Sequence, residues 1–426
     1  MKGVFKLMAV GDIIVGIDIG TSKVCTLIGQ TNRINNIDVL GYGSAPCNGV
    51  KKGIIVDIEG TAQAIRQSAE QAEQMANLNV NSAYVNITGS NVSIIESSGQ
   101  AEIPNNQSEI NYADLERVLK SAKDDVVIPA DKKAIDIVPY QYIIDGYDQI
   151  VDPVGMIGSN LEIDCQIVAG SVTAVQNLVR AVEKAGYYVD GIVIESVATG
   201  EVVLTPDEEE LGVLLLDVGA GVTDVSIFKG KRLVFYDSIP IGGDHITNDI
   251  AIGLKVPYNE ADKIKRQFNL ALTSLIQNDQ EITIASINES RVRNIKISEV
   301  IEIIEARVTE IFSLVDQLLD KSGMKEYISA GAVLCGEGIT SFDGSLQIGN
   351  AMLGMSIRVG TPKGANILKP TYTVALGMVK YMSGVKHIKD VASNVKSFRK
   401  KKLRADGARE LSIWNKLSKF FNDFFV

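Results

Sequence analysis

Two stretches of the chain share one plan of apolar and polar positions. Residues 212–230, GVLLLDVGAGVTDVSIFKG, form a continuous apolar run that closes on Asp217, a glycine-rich turn, and a second run in which apolar and polar residues alternate. The first run predicts a buried strand ending at Asp217, and the alternation predicts a hairpin partner leaving at Asp224. Residues 13–29, IIVGIDIGTSKVCTLIG, repeat the plan with Asp18, a glycine turn carrying Thr21 and Ser22, and another alternating strand. The two acids lie 199 positions apart. Self-similarity at that separation predicts two related half-molecules, each offering one hairpin to a shared cleft.

The remaining pattern fills in both halves. Apolar residues at helical spacing predict helices over 58–77, 112–123 (started by Asn111), 172–185, 196–204, 245–254, 259–268, 298–319 and 373–382. Strands are predicted over 82–87, 92–97, 135–144, 161–167, 189–194, 236–241 and 332–335, with a further strand pair after the first hairpin. The shift in character from residue 87 to 164 predicts a small α+β insert, after which an apolar strand at 166–169 resumes the first half. Residues 386–410 are polar and basic and predict a flexible linker. Beyond them Ile413, Trp414, Leu417, Phe420, Phe421, Phe424 and Phe425 share one face of a terminal helix whose other face is polar. At 16 residues it would be about 24 Å long, short of the ~30 Å hydrocarbon core, so it is expected to lie in a membrane interface, not to span it.

Chemistry concentrates at the turns. Gly219 and Gly221 let the backbone approach another group, and such a turn can aim several N–H groups at a phosphate. An acid at the end of a buried strand needs a cation or ordered water, so the combination points to a Mg-nucleotide. A third glycine turn, Gly336, Glu337 and Gly338, follows the strand at 332–335, and Gly242 and Gly243 precede a helix. Each feature has a blander reading. Asp and Gly are ordinary turn residues, and Glu195 can be a carboxylate favoured at a helix start. Asp262 and Lys265, three apart on a helix, can be a solvated pair worth ~0.3 kcal/mol. Arg291, Arg293, Lys296 and Arg307 can be surface charge. The duplication of the hairpin is what argues against coincidence.

Composition narrows the class. A chain of 426 residues has room for two to three domains. Lys6 and Asp12 interrupt the amino-terminal apolar stretch, against a signal peptide, and no run reaches the ~20 apolar residues of a spanning helix. Cys25, Cys47, Cys165 and Cys335 are far apart in apolar segments and read as reduced core residues of a cytosolic protein; with two histidines, a structural zinc site is not expected. Of the net charge of −10, residues 386–426 contribute +7, leaving −17 on the body. That distribution points away from a nucleic-acid-binding core and reserves the basic tail for an anionic partner.

Two DxG hairpins, a Glu ending the intervening strand and a downstream glycine turn resemble the ATPases of the actin, hexokinase and seventy-kilodalton chaperone superfamily. Within it, DIGTSK at 18–23, DPVGM at 152–156, IGGDHITNDIA at 241–251 and the terminal amphipathic helix are similar to the FtsA family of bacterial cell-division proteins. The resemblance implies an α/β actin-like ATPase fold, two related halves around a nucleotide cleft, with an inserted α+β subdomain called 1C. It implies subdomain 1A at 1–86, 165–195 and 363–385, 1C at 87–164, 2A at 196–243 and 311–362, and 2B at 244–310. The linker at 386–410 and the membrane-targeting helix at 411–426 would follow. By motif position, ATP phosphates would meet Gly20, Thr21, Ser22, Lys23, Gly219, Gly221 and Thr223, near Gly242 and Gly243. Asp18 and Asp217 would hold Mg²⁺ through water, and Glu195 would orient the attacking water. Asp262 and Lys265 would contact ribose and adenine, with Gly336 and Gly338 beneath the base. Arg307, with Arg291, Arg293 and Lys296, would hold the carboxy-terminal peptide of FtsZ.

The implied role is an ATP-binding protein with weak or no hydrolysis that polymerises on the cytoplasmic face of the membrane at the septum. It would tether FtsZ there and recruit later division proteins. The alternatives are a PilM-like pilus-assembly protein and a soluble sugar kinase. Two departures fall on the site: Gly219-Ala220-Gly221-Val222-Thr223 where the family usually has Gly-Gly-Thr-Thr, and Cys335-Gly336-Glu337-Gly338 where it usually has Thr-Gly-Gly-Gly. Both retain backbone turns, so they bear on hydrolysis more than on binding.

Overall fold

The computed structural model describes residues 13–32, 36–89, 91–104, 108–285, 292–366 and 369–384. The basic linker, the terminal helix and Arg291 lie outside the described residues. The described residues form two compact units, one within residues 13–91 and 174–381, the other within 92–173.

The first unit contains the duplication that the hydropathy pattern predicts. Its first sheet runs in the order Tyr188–Ile194, Ser82–Ile87, Ile13–Ile19, Lys23–Thr31, Ile37–Pro46; its second runs Ile357–Val359, Ala332–Cys335, Val213–Val218, Thr223–Lys229, Arg232–Ile239. In each, an acid-ending strand opens an antiparallel three-strand meander and pairs on its other side with a parallel strand, which in turn pairs with a second parallel strand. Registers correspond too: Asp18 sits opposite Cys25 and Asp217 opposite Asp224. The expected strand pair after the first hairpin is instead a third meander strand, followed by the two-residue ladder Val50–Lys51 with Ile54–Ile55.

The alternating strands are not half-exposed. Thr223–Phe228 is buried on both faces, and so is Val24–Gly29. The polar positions of Thr223–Lys229 are buried because partners await them: the Thr88 hydroxyl donates to Asp224, and Ser226 shares a 2.6 Å hydrogen bond with Ser196. Alternation therefore marks polar pairing inside the protein here, not a solvent face.

Helices cover the sheets where their apolar stripes direct. Helix Ile58–Ala76 is capped by the Asp57 carboxylate and buries Ala62, Ile65, Ala69 and Ala72. Helix Ile297–Ser322 buries Ile301, Ile304, Val308, Ile311 and Val315 in the core of the second half, and stops at Gly323 in the left-handed region. The helix over 373–384 crosses helix Glu195–Val203 so closely that a Cβ on Gly377 would lie 1.8 Å from the Ala198 carbonyl oxygen. Only glycine permits that crossing.

The second unit is an antiparallel sheet in the order Tyr147–Ile150, Lys132–Ile144, Asn160–Ser171, Val92–Glu102, with helix Tyr112–Asp124 against it. Asn111 and Asp114 cap that helix reciprocally, and Val118 and Ala122 join Ile144, Leu161, Ile163 and Cys165 in a separate core. Asn160–Ser171 is one unbroken strand, where the hydropathy pattern has the insert ending near residue 164 and a new strand resuming at 166. Its eleven-position ladder with Val92–Glu102 carries it past the apolar boundary.

Candidate functional site

The two glycine turns are closed by the same bond: Gly20 N–H donates to the Lys23 carbonyl at 3.0 Å, and Gly219 N–H to the Val222 carbonyl at 2.9 Å. They approach each other. A Cβ on Gly221 would stand 2.8 Å from the Thr21 hydroxyl oxygen, so glycine is required there by the opposite hairpin. The third turn docks on the second through Gly338 N–H to the Val218 carbonyl at 2.8 Å. The segment opening helix Gly243–Leu254 does likewise, with Gly243 N–H donating to Gly219 at 2.9 Å and Asp244 N–H to Ala220 at 2.8 Å. Duplication in sequence thus becomes one site in space.

The acids gather behind the turns. Asn86, near the end of strand Ser82–Ile87, accepts Ile19 N–H at 2.7 Å and donates at 2.9 Å to both Asp18 and Glu195. Thr199, one turn along the helix that Glu195 starts, donates to Asp217 at 3.1 Å. Burial raises the Asp18 carboxyl to about 7, with Asp217 adding to the rise and Lys23 opposing it. Burial and the neighbouring Asp224 raise Asp217 to about 7 as well. Burial raises Glu195 well above the ordinary range, reinforced by Asp18, Asp217 and Asp224. Carboxylates that raise one another need a cation to ionise together.

Among the described residues no three Asp, Glu, His or Cys side chains converge closely enough to hold an ion alone. Asp18 and Asp217 offer carboxylate oxygens, the donor type that a hard cation such as Mg²⁺ takes.

Other predicted residues have these positions. Lys23 pairs with Glu337. The Ser22 carbonyl accepts Cys47 N–H at 2.9 Å, and the buried Thr223 hydroxyl donates to the Ile241 carbonyl at 2.8 Å, tying the second hairpin to the residue before Gly242. Lys265 donates to Thr247 at 2.6 Å and to the Gly243 carbonyl at 3.1 Å, with Asp262 3.4 Å away; Asp262 also binds Arg266. The pair thus lies at the start of helix Gly243–Leu254, beside the second hairpin.

Arg307 makes a two-point contact with Asp249, at 2.6 and 2.9 Å, and also meets Glu310. The three line a surface groove of about 330 Å³ with Ile252, Gly253, Ile303 and Ala306. Arg293 and Lys296 lie outside that lining, on the strand leading into the Arg307 helix, where Arg293 faces Glu299 at 3.7 Å. Asn86, Thr199 and Thr88 are site residues that the motifs do not announce. The one legible sign is a polar residue, Asn86, near the close of the apolar strand at 82–87.

Comparison with known proteins finds both similar sequences and similar folds. Residues 214–377 match the family "Cell division protein FtsA", and residues 89–169 match "SHS2 domain inserted in FTSA". The chain is 37% identical to the cell division protein FtsA of Pseudomonas aeruginosa over 376 residues, 87% of this chain and 89% of that one. It is 33% identical to that of Bacillus subtilis over 87% of this chain and 83% of the relative. Among solved structures it is similar in fold to the PilM–PilN type IV pilus biogenesis complex, with TM-score 0.59, 15% identity and coverage of 86% and 97%. The ADP-bound MreB5 of Spiroplasma citri gives TM-score 0.51, 15% identity and coverage of 90% and 98%.

Proposed function

The chain belongs to the FtsA family of cell-division proteins, with the actin-like fold and the SHS2 insert, and from that premise we propose that it binds Mg-ATP between its two glycine hairpins and assembles on the cytoplasmic face of the membrane, where it tethers FtsZ. The observation that carries the nucleotide reading is the Asn86 bridge, which brings the strand-end Asp18 and the helix-start Glu195 together.

In this reading Asp18 and Asp217 hold the water shell of Mg²⁺. The ion, when bound, neutralises phosphate charge. The turns that Gly20 and Gly219 close present the backbone N–H groups and small side chains of Thr21, Ser22 and Gly221 to the phosphates, and Lys23 supplies a positive charge. Glu195, oriented by Asn86, is the group that holds an attacking water. The substituted turns make slow hydrolysis the expectation. MreB5 of Spiroplasma citri, which shares the fold, is bound to ADP, and a nucleotide in that relative agrees with this reading.

The groove around Arg307 fits a peptide carrying both apolar and acidic residues, since Ile252 and Ile303 line it beside the guanidinium. We assign it to the carboxy-terminal peptide of FtsZ. The basic linker and the helix over 411–426 are assigned to an anionic membrane surface, and the subdomain limits given above to the family's 1A, 1C, 2A and 2B. Co-sedimentation with FtsZ and anionic liposomes, with and without Mg-ATP, tests the whole. Recovery of FtsZ with liposomes only when this protein is present supports the adaptor; a protein that stays in the supernatant under all conditions returns the PilM-like alternative.

A further inference from the structure

We propose that Glu337 is a specificity-determining residue of the cleft: its carboxylate pairs with Lys23, and a phosphate chain must displace it to reach that cation. The inference rests on the nucleotide reading and deepens it.

Lys23 is the first residue of the strand leaving the first turn. Its ammonium contacts one oxygen of Glu337, and the Thr371 hydroxyl donates to the other at 2.5 Å. The Glu337 side chain is thus fixed at both oxygens. It stands between Gly336 and Gly338 in the turn that docks on the second hairpin, so the ion pair links a residue of each half across the phosphate turns. The side chains of Lys23 and Glu337 keep 29% and 47% of their exposure, which leaves the pair open to an entering ligand. The charges deeper in the site, Asp18, Glu195 and Asp217, are acidic, and Lys23 is the cation of the first turn. A residue that occupies this cation therefore competes with anything anionic.

Displacement has two consequences. The ligand must be anionic enough to take Lys23 from a carboxylate already held by a hydroxyl, so adenosine, which has no phosphate, gains nothing from losing Glu337, whereas Mg-ADP and Mg-ATP do. The competition is also between partly exposed charges, so salt weakens it.

The test compares the wild-type protein with Glu337→Gln, which keeps the shape and the acceptor for Thr371 but loses the charge. Calorimetry at low salt is expected to show Mg-ATP binding about two- to fivefold tighter in Glu337→Gln, the range of one exposed ion pair, with adenosine unchanged and the gain shrinking at high salt. Amide exchange in the nucleotide-free protein provides a second readout: residues 20–24 and 336–340 should lose protection in Glu337→Gln and regain it in the charge-swapped double variant Lys23→Glu, Glu337→Lys. Wild-type Mg-ATP affinity in Glu337→Gln overturns the proposal while leaving the nucleotide reading standing. If the wild-type protein binds no nucleotide at all, the nucleotide reading falls and this one with it, and the exchange data then describe a structural contact only.

Discussion

Asn86 has one orientation available, because its carbonyl oxygen must accept Ile19 N–H, and its two amide hydrogens are left for Asp18 and Glu195. One amide thereby positions both Asp18, the proposed ion ligand, and Glu195, the proposed water-holding group. Asp18→Ala and Asp217→Ala are expected to abolish Mg-dependent ATP binding in calorimetry, since each removes a carboxylate from the ion's shell. Glu195→Gln should retain binding and lose most residual turnover in a phosphate-release assay. Acidity supplies an independent check. Burial lifts the Asp18 and Asp217 carboxyls to about 7 in the ion-free protein. A carboxyl raised on folding stabilises the fold below its unfolded pKa of about 4, and that contribution is lost as pH rises through the folded value. The melting temperature of the metal-free protein should therefore fall between about pH 4 and pH 7. Asp217→Asn should flatten that fall while losing Mg-dependent binding, a trade of function for stability. A pH-independent melting curve would refute the assignment of these two groups.

Helix Ile297–Ser322 carries two different faces: Ile301, Ile304 and Val308 enter the core, while Ile303 and Arg307 face the groove. Arg307→Glu would place three acids, with Asp249 and Glu310, where a salt-linked cluster now stands. Fluorescence titration with the FtsZ tail peptide is expected to show affinity at least about tenfold weaker, from charge reversal and loss of the two-point geometry. The membrane anchor proposed for residues 411–426 would act through a different physics. Arg399, Lys400, Lys401, Lys402 and Arg404 would each contribute up to ~1 kcal/mol near an anionic leaflet, a salt-sensitive attraction, while the proposed aromatic face would supply the salt-resistant part. Trp414→Glu, Phe421→Glu or deletion of 411–426 should release the protein from liposomes in flotation at high salt without changing ATP affinity.

A cleft shared by two related halves of one compact unit is a means of coupling ligand to shape, because a nucleotide touching both hairpins favours the arrangement in which both contacts are made. Head-to-tail association of that arrangement through a heterologous interface whose rotation does not close would give filaments. Electron microscopy on lipid monolayers should show filaments with Mg-ATP and their loss in Asp217→Ala. Monomers alone at high concentration with ATP would remove polymerisation from the proposal.

The sequence by itself determined the duplicated hairpins, the acids at their strand ends, the helices with long apolar stripes and the presence of an insert, since each rests on spacing within a few turns of chain. Its motifs also suffice to point to the family. What only the tertiary structure decided is everything that depends on a partner far away in the chain. Thr223, a phosphate contact by family resemblance, donates its hydroxyl to the Ile241 carbonyl, and Asp224 and Ser226, polar positions of an alternating run, meet Thr88 and Ser196 inside the protein. The strand Asn160–Ser171 runs past the boundary that its hydropathy announces, because its ladder with Val92–Glu102 outlasts its apolar run. Asn86 shows locally only as a polar residue near a strand end, and Glu337 only as an acid in a glycine turn, for a polar residue reveals its role when folding brings to it a group 68 or 314 positions distant.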